Sequence, residues 1–221
     1  MAPGSAVRPE LVIFDCDGVL VDSEPLANAI LARALSAEGL VMDVAESRRR
    51  SVGLSLATVM ARAEAELGRP LSPGWLEALQ QETFAAFRAE LRPVPGVADA
   101  IDAIRAAGLP VCVASSGSLD KMGVTLGLTG LEARFGGRLY SSSMVARGKP
   151  FPDLFLHAAA SMGVAPGRAV VVEDSLPGVE AACAAGMRAL AFARDGDPAA
   201  LAARGGEAFL DMALLPGLLG L

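Results

Sequence analysis

Four short apolar runs, spread along most of the chain, constrain its fold more than any other feature. Each run ends in small or polar residues, which is typical of strands buried on both faces of a parallel sheet. The runs occupy residues 11–14, 111–114, 169–172 and 189–192. Alanine-rich helical patterns lie between them, and those at 97–107 and 153–162 are each followed by a glycine, as helix C-termini often are. This alternation predicts a doubly wound α/β sheet.

The stretch from 22 to 93 lacks a strand pattern and is expected to be an all-helical insertion. Helical patterns occupy 24–39, 54–68 and 73–91 within it. Ser72 and Pro73 suit the start of the third helix, because serine can cap free N–H groups and proline fits the first turn. The sequence therefore predicts a Rossmann-like core domain formed by 1–21 and 94–221, with a helical cap domain at 22–93 that lies over the sheet edge.

Composition narrows the class of protein further. Of the 221 residues, 52% are hydrophobic and 20% are charged, proportions that are not those of a disordered chain. The net charge of −6 argues against a nucleic-acid-binding face, and no apolar run is long enough to span a membrane. The first ten residues lack the apolar core of a signal peptide. With three widely spaced cysteines, we expect a cytoplasmic protein with reduced thiols that binds neither nucleic acid nor membranes.

Two carboxylates follow the first apolar run directly. Asp15 and Asp17 are two positions apart, and α/β sheets bind their ligands at the carboxyl ends of their strands. Neighbouring carboxylates raise each other's pKa unless a cation neutralises them. The pair therefore predicts a reaction centre with a metal ion or a lysine as its partner. A simple turn that uses both acids as caps is the alternative, since Gly18 follows them.

Candidate partners follow other predicted strands or lie on neighbouring loops. Residues 115–118 supply hydroxyl and N–H groups ahead of a helix, which suits an anion. Lys149 lies in a turn that two prolines stiffen. Glu173 and Asp174 repeat the pattern of an apolar strand followed by acids. The parallel strands should bring these groups to the same edge of the sheet as Asp15.

The grouped acids also predict the kind of metal and chemistry. The chain has a single histidine, His157, so a hard, oxygen-bound ion such as Mg²⁺ fits better than zinc. An aspartate that faces a metal-bound phosphate can attack phosphorus and form an aspartyl-phosphate, while a second acid protonates the departing oxygen. His157 lies in a predicted core helix, where we expect a structural role.

In their order and spacing, these motifs resemble those of the haloacid dehalogenase-like phosphatases. The matching segments are 15–24, Ser115, Lys149 with Pro150, and 173–175, and the resemblance covers nearly the whole chain. It implies that Asp15 is the nucleophile and a metal ligand. It also implies that Asp17 is the general acid and base, with its backbone carbonyl on the magnesium.

The same resemblance implies roles for the other motif residues. Lys149 corresponds to the cation that restrains the nucleophile and the phosphate, and Ser115 to the phosphate-binding hydroxyl. Asp174 corresponds to a magnesium carboxylate, and Glu173 to an acid that supports the metal or its waters. Asp22 is expected to hold the hinge loop. The backbone N–H groups expected to bind the transferring oxygens are those of Cys16, Asp17 and Ser116.

The insertion resembles the helical cap of the β-phosphoglucomutase-like branch of this family. Mutases of that branch carry a histidine shortly after the first motif and an arginine in the cap loop, where this chain has Ala27 and, after Gly53, Leu56. The resemblance therefore implies a phosphatase similar to sugar-phosphate phosphatases, including the 6-phosphogluconate type. The side chains expected to contact the substrate are Glu24, Arg50 and Ser55.

The resulting hypothesis is Mg²⁺-dependent hydrolysis of a small phosphorylated metabolite, a sugar phosphate or phosphogluconate, through an aspartyl-phosphate. A phosphosugar mutase is the nearest alternative. A non-catalytic regulator that accepts phosphate or binds phosphorylated metabolites is the alternative from another class, although Asp17 would have no use there. The sequence does not distinguish a monomer from a weak homodimer. Ser118 is expected to cap a helix, and Trp75, Phe84 and Phe87 are expected to form the core of the cap.

Overall fold

A six-stranded, entirely parallel sheet forms the centre of the computed structural model, which describes residues 8–51 and 54–221. The strands lie in the order β3-β2-β1-β4-β5-β6. They are β1 (Leu11–Phe14), β2 (Val111–Ser115), β3 (Leu139–Ser141), β4 (Ala169–Glu173), β5 (Arg188–Phe192) and β6 (Glu207–Phe209). The chain order reverses between β1 and β4, so a crevice opens at their carboxyl ends. The predicted Rossmann-like core is confirmed.

Helices cover both faces of the sheet, which explains why its central strands are apolar throughout. Along β1, Val12 and Phe14 pack on one face and Leu11 and Ile13 on the other, and all four are fully buried. The helices of the core are α5 (Val97–Ala106), α6 (Leu119–Leu128), α7 (Glu132–Phe135), α8 (Asp153–Ser161), α9 (Leu176–Ala184), α10 (Pro198–Ala203) and α11 (Leu215–Leu218). A strand that is buried on both faces lacks the alternation of apolar and polar residues that a half-exposed strand shows.

The insertion is helical, as predicted, and contains one helix more than its sequence pattern indicates. Its helices are α1 (Glu24–Ala37), α2 (Val44–Ser51), α3 (Leu56–Leu67) and α4 (Trp75–Glu90). Because α2 carries three consecutive arginines, it has no apolar periodicity that could have indicated it. The prediction that Ser72 and Pro73 start the last helix was wrong. This helix begins at Trp75, after Gly74 in a left-handed conformation.

Two strands also escaped prediction. β3 and β6 are three residues long, and each lies at an edge of the sheet. An edge strand is buried less completely, and so short a run carries too few apolar residues to stand out from a loop. β3 matters for the site, because it holds the loop that follows β2.

The aromatic residues of the insertion divide between two apolar clusters. Trp75 packs with Ile30, Val59 and other residues of the insertion, as predicted. Phe87 instead belongs to the cluster that includes Phe14 of the sheet, and Phe84 packs against the same cluster. The prediction that both phenylalanines form a separate cap core was therefore wrong. That 22–93 forms a separate domain stays a prediction.

Across residues 8–51 and 54–221, no helix is long and apolar enough to cross a membrane.

Candidate active site

The candidate site begins where β1 ends. Asp15 follows the strand, and its N–H donates to the carbonyl of Val172 in β4 at 2.9 Å, which keeps the two strand ends side by side. The chain then turns at Gly18, whose φ of +77° is readily adopted only by glycine. A Cβ atom at Gly18 would also overlap the carboxylate of Asp174. Glycine is therefore required here by both the turn and the close approach of an acid.

A buried ion-pair network joins β1, β4 and the loop before α8. The Nζ atom of Lys149 lies 2.6 Å from Asp15 Oδ1 and 2.6 Å from Glu173 Oε1. Both the Lys149 and the Glu173 side chains are 1% exposed. Despite burial, which alone would lower it, the two carboxylates raise the pKa of Lys149, so this lysine is a permanent cation. The predicted juxtaposition of Lys149 and Asp15 is what the structure shows.

Glu173 is held from both of its oxygens. While Oε1 accepts from Lys149, Oε2 accepts from the backbone N–H groups of Asp174 and Ser175, at 2.7 and 2.6 Å, and from the Ser175 hydroxyl at 2.9 Å. The α9 residue Gly178 lies directly behind it, and a Cβ atom there would overlap the Glu173 carboxylate. Glu173 thus orients Lys149 and the loop after β4.

Three carboxylates of the site converge closely enough to share a cation. One oxygen from each of Asp15, Glu173 and Asp174 lies within 4.8 Å of the others. Burial raises the pKa of Asp15 to about 7, with Lys149 opposing the shift, and burial together with Glu173 raises the pKa of Asp174 well above its usual range. The strand ends thus hold more negative charge than Lys149 offsets. An all-oxygen donor set with this excess fits a hard divalent ion such as Mg²⁺.

Asp17 has a separate partner, which the sequence analysis missed. Lys121 of α6 places Nζ at 2.8 Å from Oδ1 and 2.7 Å from Oδ2 of Asp17, and the Ser23 hydroxyl donates to Oδ1 at 2.5 Å. Burial alone would raise the pKa of Asp17, but Lys121 and these hydrogen bonds outweigh it and hold that pKa below its usual value. A lysine six residues after the end of a strand, on the following helix, gives no distinctive sequence signal.

The loop after β2 is held in place by hydroxyl groups. The Oγ atom of Ser115 accepts from the N–H of Gly117 at 3.1 Å. Ser141, at the end of β3, donates to the Gly117 carbonyl at 2.7 Å, and Ser142 donates to the Ser116 carbonyl at 2.9 Å. Ser118 caps α6 by accepting from the N–H of Lys121 at 3.2 Å, which confirms that prediction.

Cys16 lies in the loop after β1, and its side chain is packed into the core. The side chain is 1% exposed, and its Sγ atom lies 3.8 Å from Oγ1 of Thr125. Burial, reinforced by Asp17 and Asp15, raises the pKa of the Cys16 thiol well above its usual value. The thiol is therefore an inert packing group, and any contact of this residue with phosphate would come from its backbone N–H.

A cavity of about 270 Å³ connects these groups to the helical insertion. From the core it is lined by the carboxylates of Asp15, Asp17 and Asp174, by Lys121 and Lys149, and by residues 115–118. From the insertion it is lined by residues of α1, α2, α3 and α4 and by Leu54. The sheet edge and the insertion thus enclose one space, with the predicted nucleophile at its floor.

Among the residues predicted to contact the substrate, the structure brings only Glu24 to this cavity. Arg50 forms ion pairs with Glu46 and with Glu66, and it does not line the space. Ser55 caps α3 by accepting from the N–H of Thr58 at 3.2 Å and does not line it either. The arginine beside the cavity is Arg48, whose Nε lies 3.2 Å from Glu24 Oε2.

Two further predictions concern residues outside the cavity wall. Asp22 forms an ion pair with Arg194 at 2.7 Å, and its N–H donates to the Arg92 carbonyl at 2.9 Å, which ties the two connections to the insertion together. His157 stacks edge-on against Tyr140, consistent with a structural role. Gly53 of the predicted cap loop lies outside the described residues.

Comparison with known proteins identifies the family. The model of the haloacid dehalogenase-like hydrolases matches residues 9–186, and those residues include Asp15, Ser115, Lys149 and Asp174. This chain is a haloacid dehalogenase-like hydrolase. The resemblance seen in the motifs is thereby confirmed, and the roles of Asp15 and Asp17 stay predictions.

Individual relatives agree with this assignment. The chain is 32% identical over 189 residues to a protein named 6-phosphogluconate phosphatase from Escherichia coli K12, covering 85% of this chain and 84% of that one. It is 31% identical to hexitol phosphatase B of the same organism, over 80% and 81% of the two chains. A solved structure of a β-phosphoglucomutase-like protein from Thermotoga maritima superposes with a TM-score of 0.76 at 28% identity, covering 96% and 98%.

Proposed function

We propose that this haloacid dehalogenase-like hydrolase is a Mg²⁺-dependent phosphatase that hydrolyses small phosphorylated carbohydrates through an aspartyl-phosphate. The observation that carries the proposal is the position of Asp15, which lines the cavity floor while Lys149 holds one of its oxygens at 2.6 Å. The other oxygen is then available for in-line attack on phosphorus. The names of the relatives, which include phosphatases for phosphogluconate and for hexitol phosphates, support the substrate class.

Asp15 and Asp174 would hold the magnesium ion with their carboxylates, and Glu173, whose oxygens accept from Lys149 and from the loop after β4, would support them. When bound, this ion supplies positive charge that offsets the phosphate oxygens and the clustered carboxylates. Lys149 restrains Asp15 and stabilises charge on the transferring group, and Ser115 with the N–H groups of the following loop binds its remaining oxygens. Each of these groups is pre-positioned by hydrogen bonds to the strand ends.

Asp17 lines the same cavity as the nucleophile Asp15, so it is suited to transfer protons there. It protonates the departing alcohol oxygen and then removes a proton from the water that attacks the aspartyl-phosphate. Lys121 and Ser23 orient its carboxylate for this purpose. Because a mere phosphate-binding regulator needs no second acid, this arrangement favours an enzyme.

Hydrolysis is favoured over phosphoryl transfer between sugar positions by two aliphatic side chains. Ala27 and Leu56, at the positions where the mutases of this branch carry histidine and arginine, both line the cavity. Neither side chain is titratable or cationic, so neither can hold a bisphosphate intermediate for reorientation. Water is therefore the expected acceptor of the phosphoryl group.

Phosphate release from p-nitrophenyl phosphate and from sugar phosphates, with Mg²⁺ and with chelator, tests this function. We expect turnover that requires the metal and that falls by a factor of about 10³ or more in Asp15→Asn, in which the nucleophile is lost. Intact-mass analysis of Asp17→Asn should show a phosphate adduct on the protein. Metal-independent turnover, or turnover retained in Asp15→Asn, would refute the mechanism. A coupled isomerase assay measures mutase activity, and such activity would support the alternative of a phosphosugar mutase.

A further inference from the structure

The half of the cavity that belongs to the insertion is almost free of charge. Among the described residues that line the cavity, the charged ones are Asp15, Asp17, Glu24, Lys121, Lys149 and Asp174. Only Glu24 comes from the insertion, and Arg48 pairs with it. Lys121 is paired with Asp17, and Lys149 is paired with Asp15. Within residues 8–51 and 54–221, no cation without a carboxylate partner therefore lines the cavity.

The charges around the expected phosphate position also argue against a second anionic group on the substrate. Glu173 adds a fifth carboxylate behind Asp15, Asp17, Asp174 and Glu24, while Lys121, Lys149 and Arg48 supply the cations. A bound divalent ion neutralises this excess of negative charge. The phosphate group of one bound substrate then makes the site negative again. A second anionic group would enter a partly desolvated space with no counter-charge, which is strongly unfavourable.

Neutral polar groups, in contrast, are present on this wall. Gln80 and Thr83 lie three residues apart on α4, so they share one face, and both line the cavity. Neither side chain makes a hydrogen bond with any residue in the described part of the chain. On the opposite side, Ser51 lines the cavity and its hydroxyl donates to Oδ1 of the buried Asn28 at 2.8 Å. Ligand hydroxyl groups would satisfy such donors and acceptors.

Between these polar groups the wall is aliphatic. Leu31, Leu56, Val59 and Leu79 face the same space. A polyhydroxylated carbon chain matches this alternation, because its C–H groups pack on leucine and valine while its hydroxyls reach the amide and hydroxyl groups.

We propose that the substrate is the phosphate monoester of an uncharged polyhydroxy alcohol or sugar, and that Gln80 and Thr83 select it. This inference rests on the proposed phosphatase function and narrows it. Phosphorylated acids and bisphosphates are poor substrates, because their second anionic group meets no free cation. The specificity of this chain then differs from that stated in the name of its relative, 6-phosphogluconate phosphatase.

Glucitol 6-phosphate and 6-phosphogluconate form a matched pair of probes, since they differ only in a terminal alcohol against a carboxylate. We expect kcat/KM to favour glucitol 6-phosphate by a factor of about 10 or more. Calorimetric binding of both compounds to Asp15→Asn should give the same order of affinity. Equal or better turnover of 6-phosphogluconate overturns the inference. Absence of phosphate release from every ester, including p-nitrophenyl phosphate, overturns the proposed function instead.

Substitutions on α4 test the two selecting residues. Gln80→Leu and Thr83→Val should each lower kcat/KM for glucitol 6-phosphate by a factor of about 5–10, because one hydrogen bond to the substrate is lost. Gln81→Leu is the matched control, since Gln81 is exposed and does not line the cavity, and it should leave turnover unchanged.

Thr83→Lys should shift the preference toward 6-phosphogluconate by a factor of about 10 or more, because it supplies the missing cation. Thermal unfolding of each variant verifies that it is folded. If Thr83→Lys is folded and the preference does not move, Thr83 does not face the leaving group and the assignment fails.

Discussion

The Nζ atom of Lys121 lies 2.8 and 2.7 Å from the two carboxylate oxygens of Asp17, although 104 residues separate them in the chain. Both residues line the cavity, as do Asp15 and Lys149, which form the second ion pair. Each acid of the first motif therefore has its own lysine. The two lysines differ in burial, because the Lys121 side chain is 28% exposed and that of Lys149 only 1%.

Replacing Lys121 should alter the pH dependence of turnover. Lys121→Met removes the main group that opposes the effect of burial on Asp17, although Ser23 and Lys149 still oppose it, so the pKa of Asp17 rises from its lowered value. Because Asp17 must be protonated to act as an acid and ionised to act as a base, the limb of the pH profile of kcat that reports its titration moves upward in pH. We also expect a loss of about 10–100-fold at the optimum. Lys121→Arg keeps the charge and should retain the wild-type limb; coincident limbs in Lys121→Met and wild type would contradict the role.

Magnesium should stabilise the folded protein in a pH-dependent way. Because the pKa of Asp15 is raised to about 7, protons compete with the metal below that pH. Thermal unfolding with and without Mg²⁺ should therefore show a larger increase in Tm at about pH 8 than at about pH 6. Asp174→Asn should abolish the increase, whereas Asp99→Asn, which changes an exposed acid in the first turn of α5, should not. A metal effect that survives in Asp174→Asn would place the ion elsewhere.

Two glycines in helices offer a paired test of the packing behind Glu173. A Cβ atom at Gly178 would overlap the Glu173 carboxylate, whereas nothing lies within 4 Å of one at Gly123. We expect Gly178→Ala to reduce the free energy of unfolding by about 1–3 kcal/mol and to reduce kcat, because Glu173 positions Lys149. Gly123→Ala should raise stability by about 0.5–1 kcal/mol, as alanine favours helix. Urea unfolding and phosphate release measure both; equal effects at the two positions would show that the overlap is relieved without consequence.

Arginines 48 and 50 should differ in their effect on catalysis. Arg48 contacts Glu24, which lines the cavity, while Arg50 pairs with Glu46 and Glu66 away from it. We expect Arg48→Ala to change KM by a factor of about 3–10, because it leaves Glu24 without its counter-charge beside the substrate. Arg50→Ala should leave both kcat and KM as in wild type. Steady-state kinetics with a sugar phosphate as substrate measure both effects. A larger effect of Arg50→Ala than of Arg48→Ala would support the prediction made from the sequence.

The three thiols should react very unequally. Cys16 and Cys112 are buried, and burial raises the pKa of Cys112 to about 12, whereas Cys183 is exposed. Alkylation of the native protein should therefore add a single group, at Cys183, because only an ionised and accessible thiol reacts. Peptide mass mapping locates the adduct, and denatured protein, in which all three cysteines react, is the control. Rapid native labelling of Cys16 would show that the loop after β1 opens.

Much of the catalytic edge of the sheet could be predicted because its signals are local. A buried strand and the acids that follow it are contiguous, as at Leu11–Phe14 with Asp15 and at Ala169–Glu173 with Asp174. Parallel strands then bring such ends together without further information. The same reasoning missed α2, because a helix with three adjacent arginines has no apolar face to reveal it.

The side chains of the cavity wall were harder to predict because their relevance depends on orientation. Arg48 and Arg50 are two residues apart, and on a helix that spacing turns them about 200° from one another. The sequence favoured Arg50, whereas the structure turns Arg48 toward Glu24. Ser55 was likewise assigned to the substrate but caps α3.

By itself, the sequence predicted the family, the parallel sheet and the group formed by Asp15, Lys149, Glu173 and Asp174. The three acids lie at the ends of strands whose apolar runs are readable, whereas Lys149 was inferred from their need for a cation. Only the tertiary structure decided that Lys121 pairs with Asp17 and that Gln80 and Thr83 line the cavity. Those relationships depend on how α6 and α4 are rotated against the sheet edge. Helix rotation is set by packing over the whole core, which no local spacing encodes.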